Sequence, residues 1–244
     1  MAYETEVLDL LKQWSPDVTR VLKKAGYFDL PEGIEKEKIA EQIGFGRGTP
    51  LYRKLTQMSL EKNTKITDIV LNESSLRGFK AGARKIAEEL NIPFSKYDWN
   101  PLAQTYYEKH GNQLIKTLTQ TDIKSLGTQI QDNFNLTPKA FARKFADQYP
   151  CSEKRLEVIK SNEYHRATQG GMDAMQGKAG ATWKRRVGHP EGIYPRETHQ
   201  EDIDAGWIPF DEPYPYTDEM YPGESEINCK CYQIVSFDVE MPAE

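Results

Sequence analysis

Apolar residues recur at helical spacing through the first three quarters of the chain. Val7, Leu11 and Trp14 share one face of Glu4–Trp14, which predicts a short amphipathic helix. Ser15-Pro16-Asp17 then sets a cap residue, a proline and an acid in the order that opens a helix, so a second one is expected through Val18, Val21 and Leu22 to Gly26. Ile34–Ile43 reads as a third. Gly44–Gly48, GFGRG, is a flexible turn; it has the composition of a phosphate-binding glycine loop, but no strand precedes it and no Gly-Lys-Ser/Thr follows. Thr49-Pro50 predicts a capped helix through Leu60.

Lys65–Glu89 is the longest periodic stretch, with Ile66, Ile69, Val70, Glu73, Leu76 and Ala83 in register. Gly78 and Gly82 weaken its middle, and a close approach of two helices is one reason for glycine there. Asn91-Ile92-Pro93 ends it. After an aromatic-rich link, Ser95–Pro101, a helix is expected over Leu102–Leu118. Thr119 and Asp122 read as the start of another, with Ile123, Leu126, Ile130 and Phe134 as its stripe. Thr137-Pro138 caps a helix that buries Phe141 and Phe145. Ser152 opens one through Leu156, Ile159 and Glu163 to at least Ala167, where Gly170 and Gly171 either end it or bring it against a neighbour.

The pattern changes after Gly180. Trp183, Arg185 and Val187 alternate, as do Cys231–Phe237, which predicts strands. Trp207-Ile208-Pro209-Phe210 is a short apolar segment that its proline assigns to an edge. The stretches HPEG and YPRETH read as turns, and Pro213–Pro222 as a proline–tyrosine loop that suits either an interface segment or a disordered loop packed only on its own domain. The fold class is therefore α+β: a mainly helical body followed by a small β-containing, turn-rich C-terminal module. The expected segments are 1–100, 101–180 and 181–244.

Composition adds a constraint. Only 38% of the 244 residues are hydrophobic and 28% are charged, which predicts a limited core with long solvated helices or a partner-bound surface. The net charge of −5 is uneven: Glu197–Glu244 carries 13 acidic residues against one lysine, leaving about +7 on the rest. A basic body with an acidic tail can orient on a polyanion or in an assembly. No apolar run reaches membrane-spanning length, and the acidic, periodic N-terminus does not read as a signal peptide. Three cysteines, two of them one residue apart, make no disulfide framework and suggest a reducing compartment.

Three chemistries are open. His189, His199, Cys229 and Cys231 are donors that suit zinc. Cys-x-Cys on extended chain, however, points its thiols to opposite faces. His199 with Arg196 and Glu197 has the residue types of a nuclease or ribonuclease-like toxin: a base, an acid and a phosphate-binding cation. Scattered clusters at Arg84-Lys85, Lys139 with Arg143-Lys144, Lys154-Arg155 and Lys184-Arg185-Arg186 suit non-specific contact with double-stranded DNA phosphates, and no sequence-reading motif is legible. Glu163 and Arg166, at i,i+3, are placed to pair.

Taken in order, these pieces resemble a known family. VIKSNEYHRATQGGMDAM, with Glu163, Arg166 and Ala167, is followed by Trp183-Lys184. PRETHQEDIDAGWIPFDEPY comes next, with Arg196, His199, Asp204, Gly206, Ile208 and Pro209. The series closes on YPGESEINCKCYQI, with Pro222, Gly223, Asn228, Cys229, Lys230 and Cys231. This order and spacing resembles the C-terminal module of phage minor head (head-morphogenesis) proteins of Mu-like and SPP1-like phages, over residues 120–236. Many relatives carry a further Cys-x-x-Cys where this chain has Arg196–His199. The resemblance implies a virion protein that joins the portal vertex, inside the head, during assembly in the host cytoplasm. Its implied partners are the portal protein, capsid or scaffold proteins and packaged DNA, with no membrane. It implies a role in head morphogenesis and DNA packaging or delivery, with no enzymatic activity and no cofactor beyond an optional structural zinc. His199, Cys229 and Cys231 are expected to hold the module together.

Overall fold

The computed structural model describes residues 2–31, 33–188, 196–224 and 231–242. His189, Asn228, Cys229 and Lys230 lie outside the described residues. The chain is a mainly α-helical body followed by a small β-containing C-terminal module. It divides into two compact units, each built from two stretches: Met1–Leu71 with Lys109–Ile159, and Asn72–Glu108 with Lys160–Glu244. Unlike the segments 1–100, 101–180 and 181–244, both units are discontinuous in sequence.

The first unit begins with one helix, α1 (Ala2–Lys24), where the sequence predicts two. Pro16 lies inside it. A proline within a helix costs about 3 kcal/mol. On α1, Val7, Leu11, Trp14, Val18, Val21 and Leu22 are all buried, at about 1.5–3 kcal/mol for each large side chain, so burial on both sides of Pro16 keeps the helix continuous. Next come α2 (Lys36–Gln42) and α3 (Pro50–Val70). Thr49 caps α3 as expected, its Oγ1 accepting from the Tyr52 N–H, but the helix runs ten residues beyond Leu60 because Ile66, Thr67 and Val70 are buried on the same face.

A π-helical turn, Leu71–Ser75, separates α3 from α4 (Leu76–Glu89), so the predicted Lys65–Glu89 helix is two helices. From Trp99 to Asp132 the chain is one helix, α5, and Asp122 is not the start of a new one. Asp122 is fully buried and accepts hydrogen bonds from Ser59 Oγ (2.6 Å), Lys62 Nζ (2.6 Å) and Asn63 Nδ2 (2.9 Å), and pairs with Arg155. A Thr-x-x-Asp pattern reads as a cap; here the carboxylate instead neutralises cations brought to mid-helix by α3 and by α7 (Glu153–Ala179). Thr137 caps α6 (Pro138–Ala146), which buries Phe141 and Phe145 with Tyr27, Leu22, Leu126 and Ile130.

In the second unit, α4 lies against α7 with almost no space between backbones. A Cβ on Gly82 would fall 2.0 Å from the Thr168 carbonyl oxygen, and one on Gly171 would fall 1.9 Å from that of Phe79. Gly171 therefore does not end α7. Phe79, Ala83, Trp99, Tyr106, Ala167 and Met175 form the core around this contact.

The module adds β1 (Trp183–Val187), α8 (Glu197–Asp204), β2 (Ile208–Pro209) and β3 (Tyr232–Ser236). The sheet is antiparallel in the order β2-β1-β3, with Trp183 opposite Pro209 on one side and Ser236 on the other. Pro209 sits on an edge strand, as a residue without an N–H should. Glu197–Asp204 forms a helix where turns are expected, because i,i+3 spacing puts His199 and Asp202 on one buried face.

Candidate functional site

The residues singled out by the sequence gather in the C-terminal module, on β1, α8 and the loop from Tyr214 to Glu224. The buried face of β1 is its charged one. Lys184 and Arg186 are both 0% exposed, while Trp183, Arg185 and Val187 are half-buried. The reading of Lys184-Arg185-Arg186 as a cation cluster for DNA is thereby corrected. Strand alternation turns two of the three charges inward, where Arg186 meets two buried carboxylates and Lys184 a backbone carbonyl.

Arg186 is the centre. Its Nη1 donates to Asp202 Oδ2 at 2.6 Å and to Thr217 Oγ1 at 3.2 Å, and its Nη2 pairs with Glu219. Asp202, also 0% exposed, accepts from the Tyr216 N–H (2.9 Å) and from Thr217 Oγ1 (2.6 Å). Glu219 Oε2 accepts from the Gly223 N–H at 3.4 Å. One guanidinium thus ties strand β1 to helix α8 and to the loop. Two carboxylates around one cation are tolerable only because backbone N–H groups and a hydroxyl share the charge.

Lys184 Nζ donates to the Met220 carbonyl at 2.6 Å and lies 5.2 Å from the centre of the Tyr214 ring. Burial pulls its pKa below the ordinary lysine value, against the opposing pull of Asp173 and Glu224. Tyr214, fully buried, has its hydroxyl pushed up by the same loss of water. On β3, Gln233 Nε2 donates to Asp173 Oδ1 (3.0 Å) and Gln176 Oε1 (2.7 Å), which binds the strand to α7.

The pair expected on α7 is present. Arg166 Nη1 donates to Glu163 Oε1 at 3.0 Å, and Arg166 Nε reaches the Gly223 carbonyl at 3.4 Å. Burial raises the Glu163 pKa, and Arg166 partly offsets that. Beside it, the Tyr106 and Tyr221 hydroxyls are both held above the usual tyrosine range by burial. A Cβ on Gly170 would meet the Tyr106 ring at 2.9 Å and the Tyr221 hydroxyl at 3.1 Å, so glycine leaves room for both.

Of the soft-metal group, His199 and Cys231 meet: Nδ1 and Sγ are 3.6 Å apart, both side chains buried. His189 and Cys229 lie outside the described residues. Among the described residues, no cluster of three or more His, Cys, Asp or Glu is placed to hold a metal ion. Of the hydrolytic group, Arg196 and Glu197 are exposed at the start of α8, whereas His199 is 3% exposed and faces inward. Asp204 is exposed and accepts from Gln200 Nε2 at 2.7 Å. Gly206, at φ 73°, makes the left-handed turn that sends the chain from α8 into β2.

Sequence reading missed Lys184, Arg186, Asp202 and Glu219 as a set. The signal available was a Lys and an Arg two apart on an otherwise apolar-bounded strand, with two acids downstream. Among the described residues, no helix is long and apolar enough to cross a membrane. Comparisons of the chain with protein-family models, curated proteins and solved structures find no match.

Proposed function

We propose that the chain is a non-enzymatic head-assembly protein of a phage virion, seated at or near the portal vertex, where its C-terminal module holds a portal or capsid partner. The observation that carries this reading is the burial of the module's chemistry. Arg186, Asp202, Glu219 and His199 turn inward, and the first three tie strand, helix and loop into one piece. Side chains so used supply a rigid shape for docking rather than groups for turnover. The order of the pieces from Glu163 to Cys231, which resembles the minor head module, supports the same role.

Affinity purification of the tagged chain from cells making phage heads tests this. The portal protein should co-purify with it, and the chain should be found in mature particles. The Arg186→Ala variant should lose that association. Absence of the chain from particles sinks the reading. Cleavage of RNA or DNA by the purified protein, abolished by His199→Ala, would replace it with the hydrolytic one.

A further inference from the structure

The first unit contains a cavity that the proposed assembly role does not use. It has a volume of about 360 Å³ and is lined by Arg47, Tyr52 and Thr56 from one stretch of the chain and by Thr119, Gln120, Ile123 and Lys124 from another. That is the lower end of the size range of small-molecule sites. Three parts of the unit build it. Tyr52 and Thr56, one turn apart, come from α3. Thr119, Ile123 and Lys124 come from one face of α5. Arg47 comes from the glycine turn before α3.

The turn's own amides are not a phosphate cradle. Thr49 Oγ1 donates to the Gly44 and Gly46 carbonyls and accepts from the Gly46 N–H, so the loop closes on its own cap. Gly44 and Gly48, at φ 69° and 85°, bend the chain on either side of Arg47. What the turn presents is the arginine.

The lining carries two cations and no carboxylate. Arg47 and Lys124 are exposed, and among the described residues neither has an acidic partner. Thr56 Oγ1 is buried without a hydrogen-bond partner among the described residues. Thr119 Oγ1 already accepts from Asn63 Nδ2 and can still donate. The lining also has an apolar part, Tyr52 and Ile123, braced by Phe45, whose ring centre is 5.4 Å from that of Tyr52. Two unneutralised cations, a spare hydroxyl and an aromatic wall suit an anion that carries a flat or apolar part.

We propose that this cavity binds a small phosphate ester, with the phosphate between Arg47 and Lys124 and the organic part on Tyr52 and Ile123. A free nucleotide and a nucleic-acid strand both offer that chemistry. Calorimetric titration of the full chain with AMP, with an unphosphorylated oligothymidine and with inorganic phosphate separates the sources. AMP or the oligonucleotide should bind, inorganic phosphate about tenfold or more weakly. Arg47→Glu and Lys124→Glu should each weaken the ester by about tenfold or more, with unchanged circular dichroism, since both side chains are exposed. Whichever ester binds more tightly at equal phosphate concentration identifies the source. The proposal is overturned if neither ester binds, if binding survives both charge reversals, or if inorganic phosphate binds as tightly as the esters.

Discussion

Arg186 on β1 and Asp202 on α8 are paired at 2.6 Å with neither side chain exposed to solvent. Sixteen residues separate them in the chain. The pair, with Glu219, is what makes strand, helix and loop a single module. Removing one partner of a buried pair leaves the other charged and unpaired, at a cost of about 3–5 kcal/mol.

Arg186→Ala should therefore lower the stability of the module by about that amount, read by urea unfolding. Arg196→Ala, at an exposed position ten residues on, should change it by less than about 0.5 kcal/mol. Equal effects from the two variants would contradict the central place of Arg186.

Gly82→Ala and Gly171→Ala each force a methyl group within about 2 Å of a backbone carbonyl on the neighbouring helix. Backbone cannot step aside as a flexible side chain can, so each should cost at least about 1–3 kcal/mol. Gly46→Ala is the control: its added Cβ meets only a Thr49 methyl, at 3.8 Å, and it should be near neutral. Melting temperatures of the three variants check the order.

Lys62 gives a pH signature. Burial lowers its pKa from 10.5 to about 8, although Asp122 pulls the other way. Between about pH 8 and 10.5 the unfolded chain holds a proton there that the folded chain has released, so stability rises with pH across that window. The contribution is at most about 1.4 kcal/mol per pH unit for one proton. The stability of the native chain should thus gain on that of Lys62→Met from pH 8 to 10. A difference that stays flat or falls would show that Lys62 keeps its proton.

Cys151 is buried, and burial pushes its thiol up to about 11. In a chain carrying Cys229→Ser and Cys231→Ser it is the only thiol left. Labelling with a disulfide reagent at pH 8 should be slower than for a free cysteine by about a hundredfold or more, and reach the ordinary rate in denaturant. Fast labelling of the folded protein would place the thiol at the surface.

Much of the helical body was legible because its signals are local. Thr49-Pro50 and Thr137-Pro138 announce helix starts through groups within three residues of each other, and both caps form. The glycines at 78 and 82 announced a close approach, and the neighbour is α7. Where local and non-local signals compete, the local one misleads. Ser15-Pro16-Asp17 has the chemistry of a helix start, yet α1 runs through it, since the core takes up apolar residues on both sides. Thr119 and Asp122 look like another start, but the carboxylate answers Lys62 and Arg155, sixty residues before it and thirty-three after. In the candidate site, the Glu163–Arg166 pair was legible because i,i+3 spacing makes it a property of one helix. Arg186 was not, because which face of a strand is buried depends on what covers it.

Local sequence was enough for the class of the fold, the Thr49 and Thr137 caps, the close approach at Gly78 and Gly82 and the edge placement of Pro209. Each follows from backbone geometry or from periodicity within one element. Packing between elements settles that Lys184 and Arg186 face inward, that His199 lies against Cys231, and that α1 and α5 are continuous. Those outcomes rest on burial and on charge partners from other elements, and neither exists until those elements pack.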